Sequence, residues 1–394
     1  MKERKGRVLD LVSRIEGGFD RLKNRVAERF DRDDPLQILP YRGFGTAERL
    51  IFQGRILQDE PVGTSSKGDT VWKNLGNMWK RFESDELPGV KVQARLGSWS
   101  WETVTDDEGY FRFDVRLPSP LTELAEPGRL WYEVALEMRD PRSGLPVRGT
   151  APVLVPAPGA ELGVISDIDD TVVETGVTNR LAMARTVFLH NAHTRLPFQG
   201  VAAFYKALHQ GRRAREGRGA NPVFFVSGSP WNLYDLLAEF MDLHEIPRGP
   251  LMLRDFGFDR DKLLHTETRE HKLACIRPIL ELYPALSFVL IGDSGEQDPE
   301  IYREVVREFP GRVRAIYIRN VATRPARENE VLAIAREVRE EGVPMLLVKD
   351  TEAASVHALA EGWIRPEKLP EVRQEKLKDQ AAPSPAEVAL STEA

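Results

Sequence analysis

Leu162-Gly163-Val164-Ile165-Ser166-Asp167-Ile168-Asp169-Asp170-Thr171 decides how this chain is read. An apolar run of strand length ends in three carboxylates within four positions, followed by a hydroxyl. Crowding that many like charges is costly unless a cation or another partner compensates them. Hard oxygen ligands in this number suit Mg²⁺. Alone, Asp-x-Asp-x-Thr is a short pattern for which a solvated turn is a fair rival.

The strands downstream change the balance. Val223-Phe224-Phe225-Val226-Ser227-Gly228-Ser229 ends a second apolar run in a hydroxyl and a glycine turn, suited to holding phosphoryl oxygens. Phe288-Val289-Leu290-Ile291-Gly292-Asp293 ends another in an acid, with Asp298 five residues later. Between them His271-Lys272 offers a cation. Further strands are expected at Pro250–Leu253, Val313–Ile318 and Met345–Val348, with helices such as Trp231–His244 and Pro299–Phe309 in the gaps. Apolar strands alternating with helices predict a parallel sheet covered on both faces, with ligands at the strands' carboxyl ends. Acidic group, hydroxyl, lysine and acidic group arrive in that order, three of the four at strand ends.

That order resembles the four motifs of the haloacid-dehalogenase phosphohydrolase superfamily. More narrowly, Ser166–Val172 with Thr175-Gly176-Val177, Phe225–Trp231, Leu253–Gly257, His271-Lys272 and Ile291–Tyr302 resemble the catalytic domain of actin-patch-type phosphatidate phosphatases. The resemblance covers about residues 160–320. It implies that Asp167 is the nucleophile and forms an aspartyl-phosphate, and that Asp169 is the general acid and base. It further implies that Ser227 and Lys272 act on the phosphoryl group, with Thr171 and Gly228 also at the substrate. A Mg²⁺ ion would be held by Asp167, Asp169, Asp293 and Asp298. The implied substrate is phosphatidate, giving diacylglycerol and phosphate. The same chemistry on a soluble phosphoester or phosphoprotein is the first alternative, and a non-catalytic membrane- or partner-binding module is the second. Asp170 is assigned only the organisation of its turn.

Upstream the pattern has period two. Leu50–Leu57, Val90–Leu96, Gly109–Val115, Leu130–Met138 and Val147–Val155 read as short strands separated by turns such as Thr105–Gly109. The spacing suggests an all-β sandwich. Five of the seven tryptophans lie here, and Trp99 and Trp101 share a strand face that reads as packing surface. Residues 8–30 repeat apolar groups at helical intervals, Val8, Val12, Ile15, Phe19, Leu22, Val26 and Phe30. Residues 1–30 hold nine Lys/Arg against five Asp/Glu. The helix is expected to dock on its own protein, with an anionic membrane or a partner helix as the sharper alternative.

The resulting architecture is an α/β chain. It comprises an N-terminal amphipathic helix and linker (1–45), an all-β sandwich accessory domain (46–158) and a doubly wound parallel-sheet, haloacid-dehalogenase-like Rossmannoid catalytic domain (159–365). Residues 366–394, rich in Pro, Glu, Lys, Ser and Ala, read as a disordered tail. The intervals Asp167–Ser227 and Ser227–Lys272 must already hold core elements, so little chain is left for a large lid. An open site is expected, narrowed at most by a flap over Gly176–Gly200.

Composition supplies the exclusions. Hydrophobic residues make up 41% of the 394, enough for sizeable cores, and the formal net charge of −6 argues against general nucleic-acid binding. One cysteine, Cys275, rules out an internal disulfide or a cysteine-rich zinc module and is expected to be a small buried side chain. No apolar stretch approaches the roughly 20 residues of a membrane span. A cytoplasmic location is expected, with peripheral membrane contact as the alternative in which the first helix lies on a bilayer; the oligomeric state is open. His190 and His193 stand three apart but lack further His or Cys ligands nearby, and Arg212–Arg218 reads as a solvated basic loop. No Walker-type phosphate loop or Ser-His-Asp constellation is readable.

Overall fold

A computed structural model of the chain describes residues 35–58, 87–121, 129–168, 200–212, 220–254, 264–321 and 324–381. The predicted helix at 8–30 and residues 382–394 lie outside them. The chain forms two compact units, one from residues up to Pro40 with Phe52–Phe113 and Glu133–Ala151, the other from Tyr41–Ile51, Asp114–Tyr132 and Pro152 onward.

Eight strands form here: β1 (Leu36–Pro40), β2 (Gly43–Gly45), β3 (Arg49–Gln58), β4 (Lys91–Leu96), β5 (Trp99–Val104), β6 (Tyr110–Arg116), β7 (Trp131–Arg139) and β8 (Pro146–Leu154). β3, β4, β6, β7 and β8 fall on the period-two runs and β5 carries Trp99 and Trp101, whereas β1 and β2 lie in the segment read as linker. Their hydrogen-bonded order is β1-β3-β2-β8-β7-β4-β5, with β6 on β3. In the first unit alternate residues Phe111, Phe113, Val134, Leu136 and Met138 turn inward, and Phe52 stacks on Phe113 at 4.9 Å. Polar residues between them face outward, as a half-buried antiparallel sheet requires. β5 ends the path, and Trp99 and Trp101 lie half-buried on it, 6.5 Å apart.

The second unit is mixed α/β and built on a six-stranded sheet. Its strands are β9 (Gly163–Asp167), β10 (Val223–Pro230), β11 (Leu251–Arg254), β12 (Phe288–Asp293), β13 (Val313–Arg319) and β14 (Met345–Val348). All neighbours run parallel, in the order β11-β10-β9-β12-β13-β14. The chain builds outward from β9 to one edge, then returns to β9's other side and builds to the opposite edge. The order therefore reverses between β9 and β12, where the carboxyl ends of parallel strands leave a crevice. Every residue of β9 and β12 is buried, which explains their near-continuous apolar sequence.

Helices cover both faces of this sheet. On one face, α3 (Leu264–Leu282), α4 (Asp298–Glu308) and α5 (Pro325–Glu340) bury Ile276, Ile279, Ile301, Val305, Val331 and Val338 in one core with Ile165, Phe224, Leu290 and Ile316. On the other face, α1 (Val201–Gln210) sets Phe204 edge-on to Tyr317 and stacks Tyr205 on Phe225. Helix α2 (Tyr234–Leu243) follows a short 3-10 turn after β10.

Two segments depart from the sequence reading. Residues Lys368–Ala381, expected in a disordered tail, form a helix, α7, that packs on α1 and α6 (Thr351–Ala360). Its charged residues are partners rather than solvated groups. The Glu375 carboxylate accepts the Ala203 N–H at 2.6 Å, in the first turn of α1, whose own N-cap Gly200 has no side-chain cap. Lys376 bridges Asp350 at 2.7 Å, and Asp350 caps α6. Val372, fully buried, supplies the apolar anchor.

The second departure is Tyr41–Ile51, which belongs to the α/β unit. Tyr41 stacks on Trp231 at 4.7 Å, Arg42 makes a two-pronged pair with Asp242, and Phe44 meets Phe224 edge-on at 5.8 Å. The Tyr283 hydroxyl donates to Gly45 O at 2.9 Å. Phe44 is buried in the same core as the sheet, so Phe44→Ala should lower unfolding free energy by about 3–5 kcal/mol. Chemical denaturation monitored by tryptophan fluorescence measures this, and a loss below 1 kcal/mol would contradict the integral role of the segment.

Candidate active site

The parallel register sets which groups can meet. Asp167 pairs across the ladder with Val226, the residue before Ser227, and Ser166 pairs with Ile291, two residues before Asp293. Asp167 and Asp293 therefore end β9 and β12, and Ser227 stands level with them on β10, which runs three residues further to Pro230. Asp298 opens α4, where the positive end of the helix dipole favours a carboxylate. Lys272 enters from the middle of α3.

These side chains converge. Lys272 Nζ lies 2.7 Å from Asp167 Oδ1, 2.5 Å from Asp298 Oδ1 and 3.1 Å from Glu296 Oε2. Oxygens of Asp167, Asp293 and Asp298 all fall within 4.8 Å of one another. The lysine and all three aspartates are at most 1% exposed. Burial opposes charge on Lys272, but Asp167, Asp298 and Glu296 outweigh it and hold its pKa well above the ordinary lysine value. Burial, with repulsion from Asp298 and Glu296, pushes Asp293 well above the usual carboxylate range. Burial also raises Asp298, against the pull of Lys272.

The carboxylate oxygens have distinct duties. Asp293 Oδ1 accepts Gly295 N–H at 2.6 Å and Glu296 N–H at 2.9 Å, while the buried Oδ2 has no hydrogen-bond donor among the described residues. Asp298 uses Oδ1 for Lys272 and Oδ2 for the Asp293 N–H at 3.1 Å. A buried carboxylate oxygen without a donor, facing further acids, fits a hard divalent cation. Gly292 allows this approach: a Cβ there would come 2.3 Å from Asp298 Oδ2. The glycine of Gly292-Asp293 is thus required by space.

On the neighbouring strand, buried Ser227 accepts the Ser229 N–H on its hydroxyl at 2.9 Å. Among the described residues, a Cβ on Gly228 would meet only Thr268 Cγ2, at 3.8 Å, so these leave the backbone approachable there. His271 Nε2 lies 3.1 Å from Ser227 O, and because a carbonyl can only accept, that nitrogen carries the proton. Ser166 Oγ donates to Asp167 O at 2.7 Å and pairs with the Tyr205 hydroxyl at 2.5 Å, fixing the backbone under Asp167. Cys275, half-buried on α3, has its sulfur 3.7 Å from His271 Nε2.

Asp167, Lys272, Asp293 and Asp298 are thus brought into one cluster, with Ser227 on the adjacent strand β10. Asp169, Asp170, Thr171, His190 and His193 lie outside the described residues. Sequence reasoning missed Glu296, although it falls inside the quoted Gly292–Asp298 run. Nothing local distinguishes a buried partner of Lys272 from an exposed turn acid. Tyr205 was missed because its contact with Ser166 joins two elements far apart in sequence.

Residues 162–320 match the family described as "Phosphatidate phosphatase APP1, catalytic domain". Over 196 residues, 48% of this chain, the sequence is 34% identical to Phosphatidate phosphatase APP1 of Saccharomyces cerevisiae and covers 32% of that protein. Over 250 residues, 61% of this chain, it is 31% identical to an uncharacterized protein of Schizosaccharomyces pombe, covering 39% of it. The chain thus spans well under half the length of these curated relatives. Among solved structures, a Parabacteroides merdae β-glucuronidase aligns with 79% of this chain and 38% of its own at 11% identity. The TM-score of 0.26 is too low to place the fold. The motif resemblance is matched where it was drawn: residues 162–320 are similar to the APP1 catalytic domain.

Burial pushes His271 down to about 4, against the pull of the Ser227 carbonyl and with help from Arg254 and Lys272. The unfolded chain takes up this proton near the ordinary histidine value of about 6.5, before the folded chain does. The stability His271 contributes is therefore complete above about 6.5 and lost as pH falls toward 4, up to about 3 kcal/mol. Urea denaturation across that range should show the decline. His271→Gln, which keeps a donor for Ser227 O, should flatten it.

Proposed function

We propose that this protein is a divalent-metal-dependent phosphomonoester hydrolase whose substrate is phosphatidate, released as diacylglycerol and inorganic phosphate. The observation that carries the reading is the meeting of Asp167, Lys272, Asp293 and Asp298 at the reversal of strand order, inside the span matching the APP1 catalytic family. We take the α/β unit to be haloacid-dehalogenase-like, because the acid-bearing strand β9 lies mid-sheet and the second acidic strand, β12, is its neighbour. The period-two strands are taken as an accessory sandwich, and the boundaries 46–158 and 159–365 as the domain assignment.

In this reading Asp167 attacks phosphorus with one carboxylate oxygen and the ester oxygen leaves as an alcohol, giving an aspartyl-phosphate. Lys272, already charged in the resting site, stays protonated while negative charge moves from Asp167 to the transferring group. Asp169, two residues beyond the nucleophile, is assigned the proton delivered to the leaving oxygen and later taken from water. Ser227 and the Gly228 backbone, with Thr171, would hold the phosphoryl oxygens. Asp293 Oδ2 and Asp167, with the Asp169 backbone and Asp298 nearby, would hold Mg²⁺, which supplies a positive charge against the phosphoryl oxygens.

Among the described residues no helix is long and apolar enough to cross a membrane. A phosphatidate headgroup would be met at a bilayer surface, and we assign the protein a cytoplasmic, peripheral location on that ground.

Phosphate release from phosphatidate in mixed micelles, set against a panel of soluble phosphoesters, tests the substrate. The lipid should be turned over at least tenfold better than any soluble ester; brisk turnover of a soluble ester with none of the lipid would reject the choice. Chelation should abolish the rate and added Mg²⁺ restore it.

Asp167→Asn should reduce kcat by at least 10³-fold with an unchanged circular dichroism spectrum, because the amide cannot serve as nucleophile. Retention of wild-type turnover by that variant would overturn the assignment.

A further inference from the structure

Between β12 and α4, the loop Ser294–Gln297 turns two N–H groups, from Gly295 and Glu296, inward to Asp293 Oδ1. Its carbonyls turn the other way, toward Arg327 in the first turns of α5. Arg327 Nε donates to Ser294 O at 2.9 Å, and Nη2 donates to Glu296 O at 2.6 Å. The same guanidinium grips Glu300 of α4, through Nη1 at 2.5 Å and Nη2 at 3.0 Å.

The Ser294 carbonyl and the Gly295 N–H are the two ends of one peptide group. That peptide therefore lies between a guanidinium and a carboxylate. Hydrogen bonds in such a chain polarise one another, so the cation strengthens the donor aimed at Asp293. With Oδ1 pinned in this way, the carboxylate cannot rotate freely, and Oδ2 stays turned toward the other acids.

We propose that Arg327 is a positioning residue for the cation site, acting through the Ser294–Gly295 peptide to hold Asp293 in its ligating orientation. This rests on the metal-dependent reading given above.

Helix docking alone does not account for the geometry. Elsewhere α4 is joined to α5 and its C-cap by Arg303–Glu337 and Arg307–Glu341, pairs between side chains alone among the described residues. Arg327 instead spends two of its donors on the backbone of the acidic loop. A planar fork can serve two carbonyls and a carboxylate together, whereas a lysine's single nitrogen cannot span them.

Mn²⁺ binding to the full-length chain, followed by the electron paramagnetic resonance signal of free Mn²⁺, tests the proposal without recourse to turnover. Arg327→Ala should bind Mn²⁺ about 10- to 100-fold more weakly than wild type, the usual effect of removing a group that orients a ligand. Arg327→Lys should lose several-fold, and Glu300→Gln, which leaves both carbonyl contacts in place, should lose less than either. Arg307→Ala, a pair on the same helices, should bind as wild type does.

A folded Arg327→Ala with wild-type affinity would overturn the inference. If that variant does not fold, wild-type affinity in Arg327→Lys, or a loss in Glu300→Gln equal to that in Arg327→Lys, would overturn it instead. Failure of wild type itself to bind Mn²⁺ would overturn the metal reading, and this inference with it.

Discussion

An excess of buried negative charge around one ammonium governs this molecule. Asp167, Asp293, Asp298 and Glu296 surround Lys272 where solvent is nearly excluded. Water cannot screen such a cluster, and a single lysine cannot neutralise it, so the arrangement opposes folding unless more positive charge arrives. Sites of this kind are held by the rest of the fold rather than contributing to it. Here the cost is offset by wholly buried β9 and β12 and by helices packed on both sheet faces. Truncating Lys272 would leave the acids facing one another without a counter-charge, which makes it the least replaceable residue of the cluster.

The acids divide the work by what already occupies their oxygens. Asp298 is committed twice, to Lys272 and to the Asp293 backbone, and so acts as a brace between strand, loop and helix. Asp293 is committed once, through backbone amides that do not titrate, and keeps an oxygen in reserve. Asp167 meets Lys272 directly, at the end of a strand whose carbonyl is fixed by Ser166 and Tyr205. Rigid support of this sort holds the Asp167 carboxylate in one orientation.

Much of the α/β unit was legible because its signals are local. Strands β9, β10 and β12 are uninterrupted apolar runs, and each ends at the polar residue that matters, so period and punctuation located them together. The parallel order then follows from strands alternating with helices. What stayed hidden depends on distant partners. Glu375 and Lys376 look like tail residues until α1 and α6 supply an unfilled cap and a carboxylate. Arg327 sits among the arginines and glutamates of a solvated helix, and only the loop carbonyls beside it distinguish it from Arg303 or Arg307. Composition registers such residues as charge, while the fold uses them as geometry.

The segment Tyr41–Ile51 extends the same logic from stability to the site. Tyr41 stacks on Trp231, and Trp231 is the first residue after the strand that carries Ser227, Gly228 and Ser229. Arg42 adds a backbone donor to the Tyr234 hydroxyl and a side-chain fork to Asp242, both on α2. The turn leaving β10 is thereby clamped from outside the βαβ sequence that forms it. The glycine turn expected after Ser227 is absent, because Gly228 continues β10 to Pro230 and the chain turns only at Trp231–Leu233. A segment more than a hundred residues upstream therefore helps to fix the carboxyl end of β10. The same aromatic stack that joins the segment to the α/β unit also restricts the turn that leaves β10, the strand carrying Ser227.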